Sequence, residues 1–354
     1  MDKVISFPNI GNYAYPAYYV LSHILNCKVI KPPKITNKTI ELGTKYSPNF
    51  VCTPFKYTLG TMLESIELGA NHLLQFGGGC RYGYYAELQR QIIKDLGYDV
   101  SVDSLIIGGK SSFKRIFKIL KGIDPKIKVF KTIYYSLIGL LMVKYMDKID
   151  VFIRSNIGFE VNANSFEKIR QNMLDEFMTV KGFKHLKKLY KKYYKLMMGV
   201  DVNKPKNCLK IGIIGELYTV MEPVANYELE KFLASKHIEI NRYMSVSYLL
   251  FRKKKRVKKI LRKLKNIKYR MGADAIDNIY QAKYLCMKGY DGIIHIKSSF
   301  CTPEIASMPI INDIAHKENV PILFFSFDTN TSKVGIETRL EAFYDMIEMR
   351  KENE

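Results

Sequence analysis

The chain has 354 residues, 47% of them hydrophobic and 12% aromatic, and a net charge of +22 at neutral pH. That length suggests roughly two or three domains with ample core. The charge argues for anionic partners (nucleic acid, an acidic redox protein, a membrane surface or a polyphosphate-bearing cofactor) and says nothing about fold. Six cysteines with neither a CxxC pair nor dense spacing argue against a disulfide scaffold and against close-pair structural zinc. Residues 1–9 are too polar for a secretory leader, and the longest apolar run, 132–143, is too short to span a bilayer and reads as a buried helix. A cytoplasmic location is expected.

In chain order, residues 3–7 read as a first strand, 16–25 as a helix and 28–30 as a short second strand. Residues 42–56 form a loop-rich run leading to Cys52. Pro54 suits the first turn of a helix continuing to Leu68, with Thr53 as its N-cap. Cys52 then stands just before a helix N-terminus, whose dipole favours a thiolate. Residues 72–76 read as a strand, 84–96 as a helix, and 100–107 as the close of a first α/β unit. Residues 110–206 are rich in Lys, Tyr, Ile and Leu and read as a helical connector. Strands follow at 209–215, 292–296 and 321–327, with helices at 225–235, 275–287 and 337–350. Residues 252–270 read as an amphipathic helix with a basic outer face. That face is simply solvated, or docks an acidic partner, or meets CoA phosphates or nucleic acid, the last being least favoured for want of an aromatic-interleaved groove. The expected fold is α/β, with two doubly wound, mostly parallel-sheet (Rossmann-like) domains: 1–109, then the connector 110–206, then 207–354.

Between the expected strand at 72–76 and the helix after it runs Gln75-Phe-Gly-Gly-Gly-Cys-Arg-Tyr-Gly-Tyr-Tyr. Consecutive glycines can take positive φ and turn their N–H groups inward as an anion nest, so Gly78 and Gly79 are candidate cofactor-binding residues. Cys80 at the tip, with Arg81 beside it, is set up as a metal ligand or a nucleophile. A tight loop around an ordinary buried cysteine is the alternative.

Cys52-Thr53-Pro54 and Cys301-Thr302-Pro303 are the same tripeptide, each at a loop-to-helix junction, one in each α/β half. Open α/β sheets bind ligands beyond the carboxyl ends of their strands. If the two halves face each other there, Cys52, Cys80 and Cys301 meet, and three thiolates hold a 4Fe-4S cluster with one iron left for water or substrate. The alternative is that the repeated tripeptide reflects chance or helix-start preferences alone. Around these positions, Arg81 neutralises the cluster, meets a phosphate, or forms a surface ion pair. Glu216 follows a strand and is the candidate proton-transfer residue, otherwise a helix-capping or structural carboxylate. Lys56 and Glu304, each in the first turn after a candidate ligand, are placed to tune the site. His295 lies inside an apolar strand and reads as a packed core histidine. Cys27, Cys208 and Cys286 also read as core residues.

Several stretches, in order along the chain, resemble one family. They are Leu42-Gly-Thr-Lys-Tyr-Ser-Pro, Cys52-Thr-Pro-Phe-Lys, Gly79-Cys-Arg-Tyr-Gly-Tyr-Tyr, Gly215-Glu-Leu-Tyr, Gly292-Ile-Ile-His-Ile, Phe300-Cys-Thr-Pro-Glu-Ile and Thr338-Arg-Leu-Glu-Ala-Phe. The family is the 2-hydroxyacyl-CoA dehydratase group, and within it the acyl-CoA dehydratase activase-related (CoA-substrate-specific enzyme activase-like) proteins. The resemblance covers both α/β halves and is weakest in the helical middle. It implies an oxygen-sensitive 4Fe-4S cluster, whose ligands carry over to Cys52, Cys80 and Cys301. It also implies electrons from a separate ATPase activator, a ferredoxin or flavodoxin upstream, a CoA thioester as substrate, and a homo- or heterodimer. No nucleotide-binding P-loop occurs in this chain, so ATP hydrolysis is not expected of it. The activity implied is low-potential electron transfer or reductive chemistry, in a dehydratase-like lyase or an ATP-dependent reductase component. The alternative is a non-catalytic cluster-bearing subunit or scaffold.

Overall fold

Short runs such as Ile-Ile-His-Ile and Ile-Leu-Phe-Phe are apolar on consecutive positions, which suits strands covered on both faces. The computed structural model describes residues 2–106, 112–251 and 271–353, and in it these runs form two parallel sheets. The basic segment 252–270, expected to be an amphipathic helix, lies outside the described residues. The first sheet holds β1 (Val4–Ser6), β2 (Lys28–Val29), β3 (His72–Gln75) and β4 (Ser101–Ser104) in the order β2-β1-β3-β4. The second holds β5 (Lys210–Gly215), β6 (Glu239–Arg242), β7 (Gly292–Ser298) and β8 (Ile322–Phe327) in the order β6-β5-β7-β8. Each order reverses direction after its first strand. Each sheet therefore has a switch point, between β1 and β3 and between β5 and β7, where the crevice at the strand ends is open. The α/β class with two mostly parallel, doubly wound sheets is what the sequence led one to expect.

The helices are α1 (Ala14–Ile24), α2 (Asn37–Tyr46), α3 (Thr53–Glu67), α4 (Tyr85–Asp95), α5 (Phe113–Ile123), α6 (Val129–Asn156), α7 (Ser165–Phe177) and α8 (Phe183–Met198), followed by α9 (Leu217–Met221), α10 (Leu229–Ser235), α11 (Val246–Phe251), α12 (Ala275–Met287), α13 (Thr302–Lys317) and α14 (Lys333–Glu352). The chain divides into one unit of residues 1–143 with 174–187, and a second of 144–173 with 188–354. In the first, Leu73 and Leu74 point to opposite faces of the sheet. Leu74 packs with Ile5, Phe7, Ile24 and Ile123, whereas Leu73 packs with Phe55, Leu59, Met62 and Ile93. The second unit repeats the arrangement: Ile294 joins Ile211, Ile296 and Phe325 on one face, and Ile293 joins Ile214, Ile279 and Ile311 on the other.

Three local expectations are corrected. Residues 42–46 are helical, being the end of α2, whose first turn is closed by Thr36 N donating to Thr39 Oγ1 at 3.0 Å. The N-cap of α3 is Cys52 itself, with Thr53 as the first helical residue and Pro54 the second. Residues 225–228 are not α-helical: a 3-10 turn spans Val224–Asn226, and Tyr227 and Glu228 take left-handed φ before α10 begins at Leu229. The apolar run 132–143 is a helix, as expected, and Ile138, Met142 and Val143 are buried, but Ile133, Tyr134 and Leu137 of the same run are exposed. Among the described residues no helix is long and apolar enough to cross a membrane.

Candidate functional site

In the first unit, Cys52 caps α3 and Cys80 caps the 3-10 turn Arg81–Tyr84, with Gly83 N donating to Cys80 O at 3.0 Å. Neither cysteine side chain bonds the backbone it caps. The Cys52 sulfur instead meets the hydroxyl of Tyr85, the first residue of α4. Tyr85 is buried, its ring edge-on to Phe55 at 4.8 Å and tilted on Tyr82 at 4.9 Å. Burial first, and then the sulfurs of Cys52 and Cys80, push its phenol far above the ordinary value, while Arg81 pulls the other way. The hydroxyl that meets Cys52 thus belongs to the helix that follows the Cys80 turn. Of the three consecutive glycines only Gly77 takes a left-handed φ, +68°, and a Cβ there would lie 2.0 Å from the Ile106 carbonyl oxygen. Gly78 packs on the Tyr82 ring, and nothing lies within 4 Å of a Cβ built on Gly79. Arg81 is exposed.

A buried polar chain fixes these two turns against each other. Gln75, the last residue of β3, donates from Nε2 to Gln89 Oε1 at 2.7 Å. Gln89 Nε2 donates to Thr58 Oγ1 at 2.9 Å, and Thr58 Oγ1 donates to the Pro54 carbonyl at 2.7 Å. The Gln75 Oε1 also accepts from Phe76 N, at the entry to the glycine loop. All three side chains are fully buried, so each bond replaces one to water that the fold has removed. The chain thus ties the strand before Cys80 to the helix turn after Cys52.

In the second unit Cys301 caps α13, its N–H bonded to Ser298 O at 3.0 Å at the end of β7. One turn on, the buried Glu304 accepts at Oε2 from Asn278 Nδ2 and from His295 Nε2, each at 2.9 Å. Asn278 also braces the end of β5, accepting from Gly215 N at 3.1 Å and donating to Gly215 O at 3.0 Å. Lys297 is buried near Cys301 and Glu304, and its Nζ reaches the Ser299 carbonyl at 3.4 Å. Burial holds its ammonium below the usual lysine range, against the pull of Cys301 and then Glu304. Both cysteine-capped helices are therefore wired to a strand end at a switch point. Residues 243–347 match the family of the 2-hydroxyglutaryl-CoA dehydratase D-component. The D-component match takes in His295, Lys297, Cys301 and Glu304, and it supports the resemblance in the C-terminal half; Cys52, Cys80 and Tyr85 lie outside it. No curated protein matches the chain.

Lys297, within the D-component segment, was missed by sequence reasoning although a lysine in an otherwise apolar strand is a visible signal. His295 is packed in the core as expected, but in the service of Glu304, and Glu304 is a buried acceptor. Cys27 and Cys286 pack against apolar clusters, and burial pushes both thiols up, Cys286 to about 11. Cys208 is buried. Among the described residues no group of three or more His, Cys, Asp and Glu gathers as a metal site. The donor chemistry of the first unit nonetheless suits a soft metal centre: two sulfurs that cap turns without bonding them, beside a phenol that can donate to sulfur.

Glu216 caps α9. Its Oε1 accepts from Tyr218 N at 2.8 Å, and its Oε2 from Thr219 N at 3.0 Å and Thr219 Oγ1 at 2.6 Å. Burial pushes it up to about 7 against those donors. The buried Glu222, at the other end of α9, is also pushed up to about 7 by burial, with Val224 N opposing. A carboxyl raised in the folded state favours folding fully below its unfolded value near 4.5, and that contribution is lost as the pH rises through 7. From pH 5 to pH 8 the loss at Glu222 comes to roughly 2–3 kcal/mol, since part of the titration lies below pH 5 and each tenfold change in the balance of its two protonation states is worth about 1.4 kcal/mol. Urea midpoints at the two pH values are expected to differ less in Glu222→Gln than in the wild type; equal differences would contradict the burial argument.

Proposed function

We propose that the chain is the iron–sulfur component of a 2-hydroxyacyl-CoA dehydratase-type system, with Cys52, Cys80 and Cys301 as ligands of a 4Fe-4S cluster. The observation that carries this reading is the contact of the Cys52 sulfur with the buried hydroxyl of Tyr85, which begins the helix that follows the Cys80 turn. Added support comes from the second Cys-Thr-Pro turn, which stands at Cys301 inside the D-component match. When bound, such a cluster supplies low-potential electrons, and an iron without a cysteine, to a CoA thioester. The chain's own part is to hold the sulfurs. The Gln75–Gln89–Thr58 chain fixes Cys52 against Cys80, and Asn278 and Glu304 fix the turn of Cys301. Lys297, buried near Cys301, offers positive charge on that side, which offsets part of the charge of a thiolate-ligated centre. The partners that go with this reading are a separate ATPase activator, and a ferredoxin or flavodoxin that feeds it.

The test is iron and acid-labile sulfide analysis, with EPR of the reduced protein, after anaerobic purification and reconstitution. About four irons per chain are expected for a cluster of this type. Cys80→Ser should lose most of the iron, and Cys286→Ser, altered at a core thiol, should keep it. Equal iron in the two variants would overturn the ligand assignment.

A further inference from the structure

Tyr85 is neither a cysteine nor part of the D-component match, yet its buried hydroxyl meets the Cys52 sulfur, and its helix follows directly on the turn capped by Cys80. Its position is over-determined. It begins α4, its ring is held edge-on by Phe55 and tilted on Tyr82, and the next turn of the same helix carries Gln89, which is bonded to β3 and to α3. A rotamer swing that took the hydroxyl off Cys52 would have to displace Phe55, itself fully buried. A phenol has one proton to donate. A sulfur that ligates a metal is a thiolate and has none, so in the loaded protein the direction of the bond is fixed: Oη donates and Sγ accepts.

We propose that Tyr85 is a positioning residue that donates a hydrogen bond to the Cys52 sulfur and thereby raises the reduction potential of the cluster bound there. This rests on the cluster reading above. The physical reason is electrostatic. Reduction adds negative charge to the centre and its sulfurs, and a donor aimed at one of them stabilises the reduced form more than the oxidised form. Burial of the phenol strengthens the effect, because its hydrogen bond is made in a low local dielectric. The same bond holds the Cys52 side chain off its own helix end, where a thiolate would otherwise turn to the N–H groups of α3.

Tyr85→Phe keeps the ring and its contacts with Phe55 and Tyr82 and removes only the hydroxyl. The expected result is iron and sulfide equal to the wild type, with a midpoint potential more negative by about 59 mV, the one-electron equivalent of a tenfold shift in the reduced fraction. In the wild type, exchange into deuterated buffer should replace a proton strongly coupled to the reduced cluster, seen by ENDOR, and Tyr85→Phe should lack that signal. Iron retained with an unchanged potential would overturn the inference and leave the cluster reading standing, since a purely packing role predicts that result. Loss of iron in Tyr85→Phe would overturn it too, making the phenol a requirement for assembly. Were the variant to misfold, absence of the exchangeable coupling from the wild type would by itself be decisive against the bond. Wild-type protein without iron after reconstitution would remove the cluster reading, and this inference with it.

Discussion

Gly43→Ala is expected to destabilise the first unit by about 3 kcal/mol or more, at the upper end of what overpacking costs. Helices α2 and α3 cross at a pair of glycines. A Cβ on Gly43 would lie 1.9 Å from the Lys56 carbonyl oxygen, and one on Gly60 would lie 2.0 Å from the Thr39 carbonyl oxygen. Both obstacles are backbone, so no rotamer relieves them and the helices must separate. Separation moves the first turn of α3, where Thr58 Oγ1 bonds the Pro54 carbonyl and Cys52 forms the cap. The damage should therefore reach the Cys52–Tyr85 contact as well as the core. Gly79→Ala is the matched control: nothing lies within 4 Å of its added Cβ, and a change within about 0.5 kcal/mol is expected. Urea midpoints at constant slope measure both. The double variant with Gly60→Ala should cost less than the sum of the two single changes, because one separation accommodates both methyl groups. Equal midpoints for Gly43→Ala and Gly79→Ala would mean that the helices do not cross this closely.

What could be read from the sequence, and what could not, follows from the range over which each feature is encoded. The central strands β5 and β7 are largely apolar and almost wholly buried, which suits a doubly covered sheet, and the edge strand β8 also gives an apolar run. The edge strand β6, Glu-Ile-Asn-Arg, carries two charges in four residues and gives no such signal. Its Arg242 is nonetheless buried, bonded to the Val220 carbonyl and to Glu230, and that pairing is supplied entirely by tertiary structure. Helix α2 was hidden for a related reason: Thr39, Thr44 and Gly43 are weak helix formers, and the helix is made worthwhile by its glycine crossing with α3. At the candidate site, the helix starts beside Cys52 and Cys301 were legible because Pro in a first turn is a local rule, although the cap of α3 proved to be Cys52 and not Thr53. The contact of Cys52 with Tyr85, the chain through Gln75, Gln89 and Thr58, and the brace from Asn278 to Glu304 join residues far apart in sequence. No local period encodes them.

Glu304→Leu is expected to cost about 2–6 kcal/mol, because it leaves two buried N–H groups without this acceptor at about 1–3 kcal/mol each. Asn278 Nδ2 and His295 Nε2 both converge on Glu304 Oε2, and His295 already has its other ring nitrogen, Nδ1, buried without a partner. The histidine therefore cannot recover by changing tautomer. Asn278 keeps its bonds to Gly215, so β5 should hold its end while the first turn of α13 loosens. Glu304→Gln separates the two contributions, since an amide oxygen in the place of Oε2 can still accept from both donors. A loss of about 1 kcal/mol is expected there, the difference between a charge-assisted and a neutral bond. Hydrogen exchange should locate the change: in the leucine variant, amides in the first turn of α13, among them Ile305 N bonded to the Cys301 carbonyl, should lose protection before those of β7. If the leucine variant matched the glutamine variant in both midpoint and exchange, the acceptor would be dispensable. The cap at Cys301 would then be held by the apolar packing around Ile311 and not by the Asn278–Glu304–His295 network.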